Sequence, residues 1–322
     1  MSPVRNNQNP PETVIRITDL HKNFGDIKAV DGISFDIFRG EVFGFLGPNG
    51  AGKTTTIRMI CGLLPANGGK VEFTDPQIRR DGVKNHLGIC PQENIFWPKL
   101  TCHEQLVFMA EMYGFNSQEA RRQSKYLLEL MGLMAKANKL ASKLSGGMKR
   151  RLNICLALVH DPEILVLDEP EAGLDPQSRL LVRSLIKDLA RKKTVILTTH
   201  NMDEADRLAD RVAIIDHGKL LKLDTPENLK QAVGEGDMLE ITVELPKGGA
   251  DEQTIVAAVR PLCESAAYNN DVLILKAPHL VGILPEITAT LSKMGVVTKE
   301  ITLRENTLED VFIHLTGRTL RS

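Results

Sequence analysis

The sequence predicts an α/β protein, a mostly parallel sheet covered by helices, followed by a smaller α+β unit. Three observations carry this. From Asp161 onward strand-like and helix-like segments alternate, at 164–167, 178–192, 194–198 and 212–215, the pattern of strands joined by helical crossovers. Ahead of them the apolar run Val42-Phe43-Gly44-Phe45-Leu46 leads straight into a glycine-rich loop. Past about residue 236 the order reads β-α-β-β-α-β, that of a split, ferredoxin-like unit.

Taken in order, residues 1–12 are polar and proline-rich and read as a disordered tail. Ile15 and Ile17 alternate with Arg16 and Thr18, and a second alternating run over 33–37 stops at the turn Arg39-Gly40. After the glycine-rich loop, Ile57, Ile60 and Leu64 fall at helical spacing and Pro65 closes that helix. Residues 99–160 switch to helical periodicity as an inserted block. Thr101-Cys102-His103-Glu104 has capping-box form ahead of an apolar face of Leu106, Met109 and Met112, and Ser117 caps a helix carrying Tyr126, Leu127, Leu130 and Met131. In the last unit Leu239, Ile241 and Val243 alternate as a half-buried strand, helices follow on Ile255–Leu262 and Leu280–Leu291 spacings, strands form near Ala266, at 272–275 and at 296–303, and a final helix starts at Thr307. These readings divide the chain into 1–12, a domain over 13–235 and an accessory domain over 236–322.

Composition narrows the function. The 322 residues suit about two domains. Apolar residues are 42% and charged residues 25%, the balance of a globular protein. Lys plus Arg number 40 against 41 Asp plus Glu, so there is no basic excess for neutralising phosphates, and a nucleic-acid partner is not expected. No run approaches the roughly 18 apolar residues of a membrane span, and the start has no apolar signal core. Five cysteines, Cys61, Cys90, Cys102, Cys155 and Cys263, form no C-x-x-C pair, which reads as thiols in a reducing cytoplasm.

Chemistry concentrates in three places. Gly47-Pro48-Asn49-Gly50-Ala51-Gly52-Lys53-Thr54 fits G-x-x-x-x-G-K-[ST] between an expected strand and an expected helix, with Thr55 next on that helix. Glycines let backbone N–H groups turn inward on phosphates, and the helix start adds its positive dipole end. Lys53 is then a point charge for the β- and γ-phosphates, and the Thr54 hydroxyl a Mg²⁺ ligand. The only Asn-Lys pair, Asn138-Lys139-Leu140-Ala141, does not complete the guanine-reading N-K-x-D. At the second place, strand 164–167 ends in Asp168-Glu169. Successive strand side chains point opposite ways, so the two take different tasks: Asp168 in the Mg²⁺ shell, Glu169 polarising the attacking water. At the third, Leu144-Ser145-Gly146-Gly147-Met148 opens a helix and makes another anion site. One nucleotide rarely needs two helix starts from one chain, so this one serves the nucleotide of another copy. Alone, Gln92 reads as a loop surface residue, His200 as a structural histidine and Phe24 as core; the basic clusters Arg79-Arg80, Lys149–Arg151 and Arg191–Lys193 read as solvated faces.

With these motifs in this order, the chain resembles the ATP-binding cassette (ABC) ATPases over residues about 14–235. They run from the aromatic Phe24 through the P-loop, Gln92, the Ser145–Gly147 signature, Asp168-Glu169 with Ala172-Gly173-Leu174-Asp175, to His200. The resemblance implies a RecA-like P-loop NTPase cassette with an inserted helical subdomain, using ATP and Mg²⁺. It implies a head-to-tail pair of cassettes, each ATP lying between the P-loop of one copy and Ser145, Gly146 and Gly147 of the other. Phe24 then stacks on adenine, Gln92 senses Mg²⁺ and the membrane partner, Asp175 crosses to the opposite site and His200 contacts the γ-phosphate. Three positions depart from the family pattern: Met148 for Gln, Phe24 for Tyr, and Glu171 where a small or hydroxyl residue is frequent.

The segment Leu308–Arg318 and L-S-G-G-M followed by K-R-R-L resemble the drug-resistance and nodulation-type exporter ATPases. That resemblance implies an ATPase peripheral on the inner face of the membrane, driving efflux through a separate permease. The alternatives are an importer ATPase with a regulatory C-terminal domain, since some of those also append a ferredoxin-like unit, and a non-transport ABC ATPase. Ile95-Phe96-Trp97-Pro98 suits a dock for the permease or packing against the helical block equally.

Overall fold

The computed structural model describes residues 11–232, 237–245, 251–269, 271–277, 280–304 and 306–317. The chain divides into two units, one running to Pro226 and the second from Glu227 onward, ahead of the boundary read at 235. Of the tail read over 1–12, residues 1–10 lie outside the described residues. Glu12 is tied down, its carboxylate 2.9 Å from Arg39 Nε and its carbonyl accepting from the Arg39 N–H.

In the first unit the strands are β1 (Thr13–Phe24), β2 (Ile27–Phe38), β3 (Val42–Leu46), β4 (Gly68–Phe73), β5 (Leu87–Cys90), β6 (Ile164–Asp168), β7 (Thr194–Thr199), β8 (Arg211–Asp216) and β9 (Lys219–Asp224). They form an antiparallel sheet β2-β1-β4 and a six-stranded sheet β5-β6-β7-β3-β8-β9, parallel except for β9. Both faces of the larger sheet are covered, which is why its strands are continuous apolar runs rather than alternating ones. Along β6, Leu165 and Leu167 join the core shared with the inserted helices, while Ile164 and Val166 join the core shared with the smaller sheet. Phe35 of β2 stacks on Phe43 of β3 at 5.2 Å between centroids, fastening the two sheets.

Several helix ends differ from the sequence reading. The P-loop helix is Lys53–Ile60, not extending to Leu64: Gly62 adopts φ 68°, and the Leu63 N–H turns back to the Arg58 carbonyl at 2.8 Å, the glycine-terminated helix end. The capping box at Thr101 forms as read, opening Cys102–Met112. Its buried face is Cys102, Leu106 and Ala110, with Met112 at 69% exposure, so the stripe is rotated from the one read. Helix Ser117–Leu130 is capped by Asn116, whose side chain accepts from both Gln118 and Glu119; Ser117 is its first turn. The helix read from 178 begins at Pro176 behind Asp175. In both, the side chain that accepts from the first free backbone N–H groups belongs to an upstream residue, Asn116 one position and Asp175 three positions before the start read.

The second unit holds β10 (Asp237–Glu244), β11 (Ser265–Asn269), β12 (Val272–Ala277) and β13 (Val297–Arg304) in one antiparallel sheet, order β11-β12-β10-β13. Helices Glu252–Val259 and Leu280–Lys293 supply Ile255, Val259, Ile287 and Leu291 to its core. This is the connectivity of the split βαββαβ unit. Helix Leu308–Thr316 follows, capped by Thr307 and closed by Gly317 at φ 71°. Arg318, the end of the segment singled out above, lies outside the described residues.

Candidate active site

The loop between β3 and helix Lys53–Ile60 is packed where side chains cannot fit. A Cβ on Gly47 would lie 2.1 Å from the Ile215 carbonyl oxygen, and one on Gly52, at φ 105°, 2.3 Å from that of Ala29. Both glycines are therefore required by close backbone approach, and Gly50, at φ 83°, by its conformation. Lys53 is 5% exposed and donates to the Gly47 and Pro48 carbonyls at 2.7 and 3.0 Å. Burial pulls its ammonium below the ordinary lysine value, opposed by the charges of Glu169 and Asp168. The loop opens on a cavity of about 380 Å³ lined by Asn49, Gly50, Lys53, Thr55, Gln92 and Glu169, with Ala29, Gly52 and Thr54 completing the wall.

Asp168 ends β6. Its carboxylate accepts from the Thr54 hydroxyl at 3.2 Å and from the Thr198 hydroxyl. Glu169 is not a further strand residue: its φ is 48°. The two carboxylates diverge because the backbone enters the left-handed region, not by strand alternation. That conformation is uncommon for a residue with a Cβ and is found at functional sites held by their surroundings. The holding groups are Thr198, whose hydroxyl and carbonyl accept from the Glu169 N–H at 3.0 and 3.1 Å. The carboxylate of Glu169 accepts from Gln92 Nε2 at 3.1 Å and lies 2.9 Å from His200 Nδ1. With Glu169 ionised the Nδ1 carries the hydrogen, leaving Nε2 as the other ring nitrogen.

Thus Lys53, Thr54, Gln92, Asp168, Glu169 and His200 are brought to one place. Ser145, Gly146, Gly147 and Asp175 are not among the residues around that cavity. Two of them, Gly147 and Asp175, adjoin Ser178 instead. A Cβ on Gly147 would meet the Ser178 Oγ at 2.2 Å, and that hydroxyl donates to the Asp175 carboxylate at 2.7 Å. Ser145 caps helix Gly146–Leu158, and nothing lies within 4 Å of where a Gly146 Cβ would stand. Met148 packs its thioether against the helical core. Phe24 is 51% exposed beside β2, so it is not core. Ile95 and Trp97, 64% and 41% exposed, face an apolar groove of about 430 Å³ with Leu63, Phe96, Met109 and Tyr113.

Sequence reasoning missed several residues that shape this site. Thr198 was passed over as strand. Glu171, noted only as a departure, is 5% exposed and forms a bidentate pair with Arg183 at 2.6 and 2.9 Å. Arg150 corrects the solvated reading of Lys149–Arg151: it is 2% exposed. The signal was present, because positions 150, 154 and 157 are all buried and share one helix face.

Comparison with known proteins gives the family. The ABC transporter family profile matches residues 30–172. The chain is 38% identical over 96% of its length, and the whole of the relative, to the linearmycin resistance ATP-binding protein LnrL of Bacillus subtilis (strain 168). It is 37% identical, over 97% of its length and 99% of the relative, to the Nod factor export ATP-binding protein I of Paraburkholderia xenovorans (strain LB400). Among solved structures, an ATP-binding subunit of an ABC transporter superposes with a TM-score of 0.61 at 26% identity, covering 68% of this chain and 93% of its own. CbiO1 from Clostridium perfringens, part of an ABC transporter complex, gives 0.62 at 26% identity, covering 69% and 93%. A chain with a P-loop after an interior strand of a mainly parallel sheet, matched along nearly its whole length by such subunits, belongs to the ABC transporter family as one of its ATP-binding ATPase chains.

Proposed function

We propose that this chain is the ATP-hydrolysing subunit of an exporter, acting as a head-to-tail pair and driving efflux of a drug, lipid or polysaccharide-like molecule through a separate membrane permease. The observation that carries the reading is the split of the motif residues. One set surrounds the P-loop cavity, and the other lies away from it, with Ser145, Gly146 and Asp175 exposed to solvent and Gly147 buried behind them. A second copy, turned head to tail, would bring the second set against the first copy's nucleotide, completing two equivalent sites. Export is supported by the relatives, which are named for linearmycin resistance and Nod factor export.

The chemistry is in-line attack of water on the γ-phosphate, in which positioning and charge stabilisation dominate. Glu169 orients the water, gripped by Gln92 on one oxygen and His200 on the other. Lys53 and the loop N–H groups hold the phosphates, and Phe24 offers an exposed ring to the adenine. The oxygen donors of Thr54 and Asp168, 3.2 Å apart, fit a hard divalent cation, which prefers oxygen and keeps several waters. Thr54 and Gln92 would hold Mg²⁺ and Asp168 its shell, where it would neutralise phosphate charge. Among the described residues no helix is long and apolar enough to cross a membrane. The groove at Ile95 and Trp97 supplies the apolar surface for a permease segment at the inner membrane face, a few residues from Gln92 in sequence.

Glu169→Gln tests the reading. It should bind ATP normally, lose hydrolysis by roughly 10²–10⁴-fold, and elute as an ATP-bound dimer; near-normal turnover removes Glu169 from its role. Gentle detergent extraction should recover a permease with the chain. Recovery only with ribosomes or DNA overturns transport, and a permease bound to a periplasmic receptor indicates import.

A further inference from the structure

Arg150 has an environment unlike that of any other arginine described in the chain. Its side chain is 2% exposed, yet among the described residues no carboxylate pairs with it. Every contact is to a backbone carbonyl. Nη2 donates to Asp168 at 2.6 Å and Nε to Pro170 at 3.2 Å, while Nη1 donates to Gln92 at 3.2 Å and to Pro91. The first two carbonyls flank Glu169, the residue in the left-handed conformation. The other two belong to Gln92 and its predecessor. The side chains of Glu169 and Gln92 hydrogen-bond each other at 3.1 Å. One guanidinium thus fastens the backbones beneath both partners of that contact.

A planar fork with five donors can span four carbonyls from one point; an ammonium, with three donors on one atom, cannot. Leaving such a group buried without a counter-charge is costly unless its nitrogens are hydrogen-bonded, and all three of them are. Here they are directed at two segments that carry the chemistry. Arg150 also stands on helix Gly146–Leu158, whose first turn presents Ser145 and Gly146 to solvent.

We propose that Arg150 is a positioning residue that sets the Gln92–Glu169 contact and couples it to the place of the signature helix. A displacement of that helix pulls on the carbonyls of residues 91, 92, 168 and 170 together. The geometry of Glu169 in one copy therefore depends on what the Ser145 end of the same helix touches. This inference rests on the ATPase reading above and adds a link within each chain between the two ends of the paired sites.

The test is a double-mutant cycle on the full-length chain, using Arg150→Lys and Gln92→Ala with steady-state ATP hydrolysis and ATP titration. Arg150→Lys should lower kcat roughly tenfold to a hundredfold, as small misplacements of a reacting group do, while changing ATP affinity less than about threefold. Because Arg150 acts through the Gln92–Glu169 contact, the double variant should be no slower than Gln92→Ala alone. Losses that multiply, or a wild-type kcat in Arg150→Lys, overturn the proposal. Arg150→Gln provides the second variant. If neither folds to wild-type helicity by circular dichroism, Arg150 is a core staple and the positioning role is overturned. A wild-type chain that binds but does not hydrolyse ATP overturns the ATPase reading itself, and this inference with it.

Discussion

The two units use polar groups in opposite ways. Among the described residues, every buried charged or polar side chain lies in the first unit, from Lys22 to Asp216. The second unit's core is aliphatic: Leu239, Ile241, Ile255, Leu273, Leu275, Ile287 and Leu291 lead it. Its main ion-pair centre, Arg304 with Glu240 and Asp310, is only partly buried. Burying a polar group costs several kcal/mol unless it is partnered, so such groups persist where geometry must be exact for chemistry. The contrast teaches that polar burial is concentrated in the unit that holds the P-loop, whereas the second unit is held by aliphatic packing.

The largest effect should come from Lys53→Ala. Removing the buried ammonium from the P-loop should weaken ATP binding by about 3–4 kcal/mol, or a hundredfold or more, leaving the second unit's melting unchanged. Unaltered affinity in a titration would break the assignment of chemistry to this cavity. Next, Leu273→Ala should destabilise the second unit by about 3 kcal/mol, since a fully buried leucine is replaced by a void. If the contrast holds, ATP affinity changes less than about twofold; a larger change would show that the appendage shapes the site.

Glu171→Ala should cost about 2 kcal/mol in urea unfolding of the first unit, because it leaves Arg183 with only Asp203. The effect smallest at any one step is spread along pH. Burial raises the carboxyl of Glu204 to about 8, with Glu171 and Glu169 adding repulsion and the Thr199 hydroxyl opposing. Its folded value lies above the unfolded one, so its contribution is present in acid and is lost as pH rises from about 4.5 through about 8. Glu204→Gln should flatten the stability–pH curve there by up to about 1.4 kcal/mol per pH unit. An unchanged slope between pH 5 and 8 would place the buried charge elsewhere.

Much of this was legible in advance because the P-loop is contiguous. Gly47 to Thr54 carry their meaning in a fixed local spacing, and the strand before them and helix after them follow from apolar periodicity. The same holds for the apolar runs of β3, β6, β7 and β8, whose parallel arrangement follows from helical crossovers. Helix starts were less legible: Asn116 caps where Ser117 was read as the cap, and the helix read from 178 begins behind Asp175. Glu169 could be picked out by its neighbour Asp168, but its left-handed backbone depends on Thr198, a residue 29 positions away in sequence.

What the sequence alone determined is the chemistry that neighbouring residues share: a phosphate loop, two carboxylates at a strand end, a second helix start and an aliphatic appendage. What only the tertiary structure decided is which distant groups hold them. Arg150 and Glu171 look like surface charges in a linear reading, yet one spans four carbonyls and the other a buried arginine. A side chain's burial depends on elements folded over it from far along the chain. Local periodicity records the face it sits on, and not the partner waiting there.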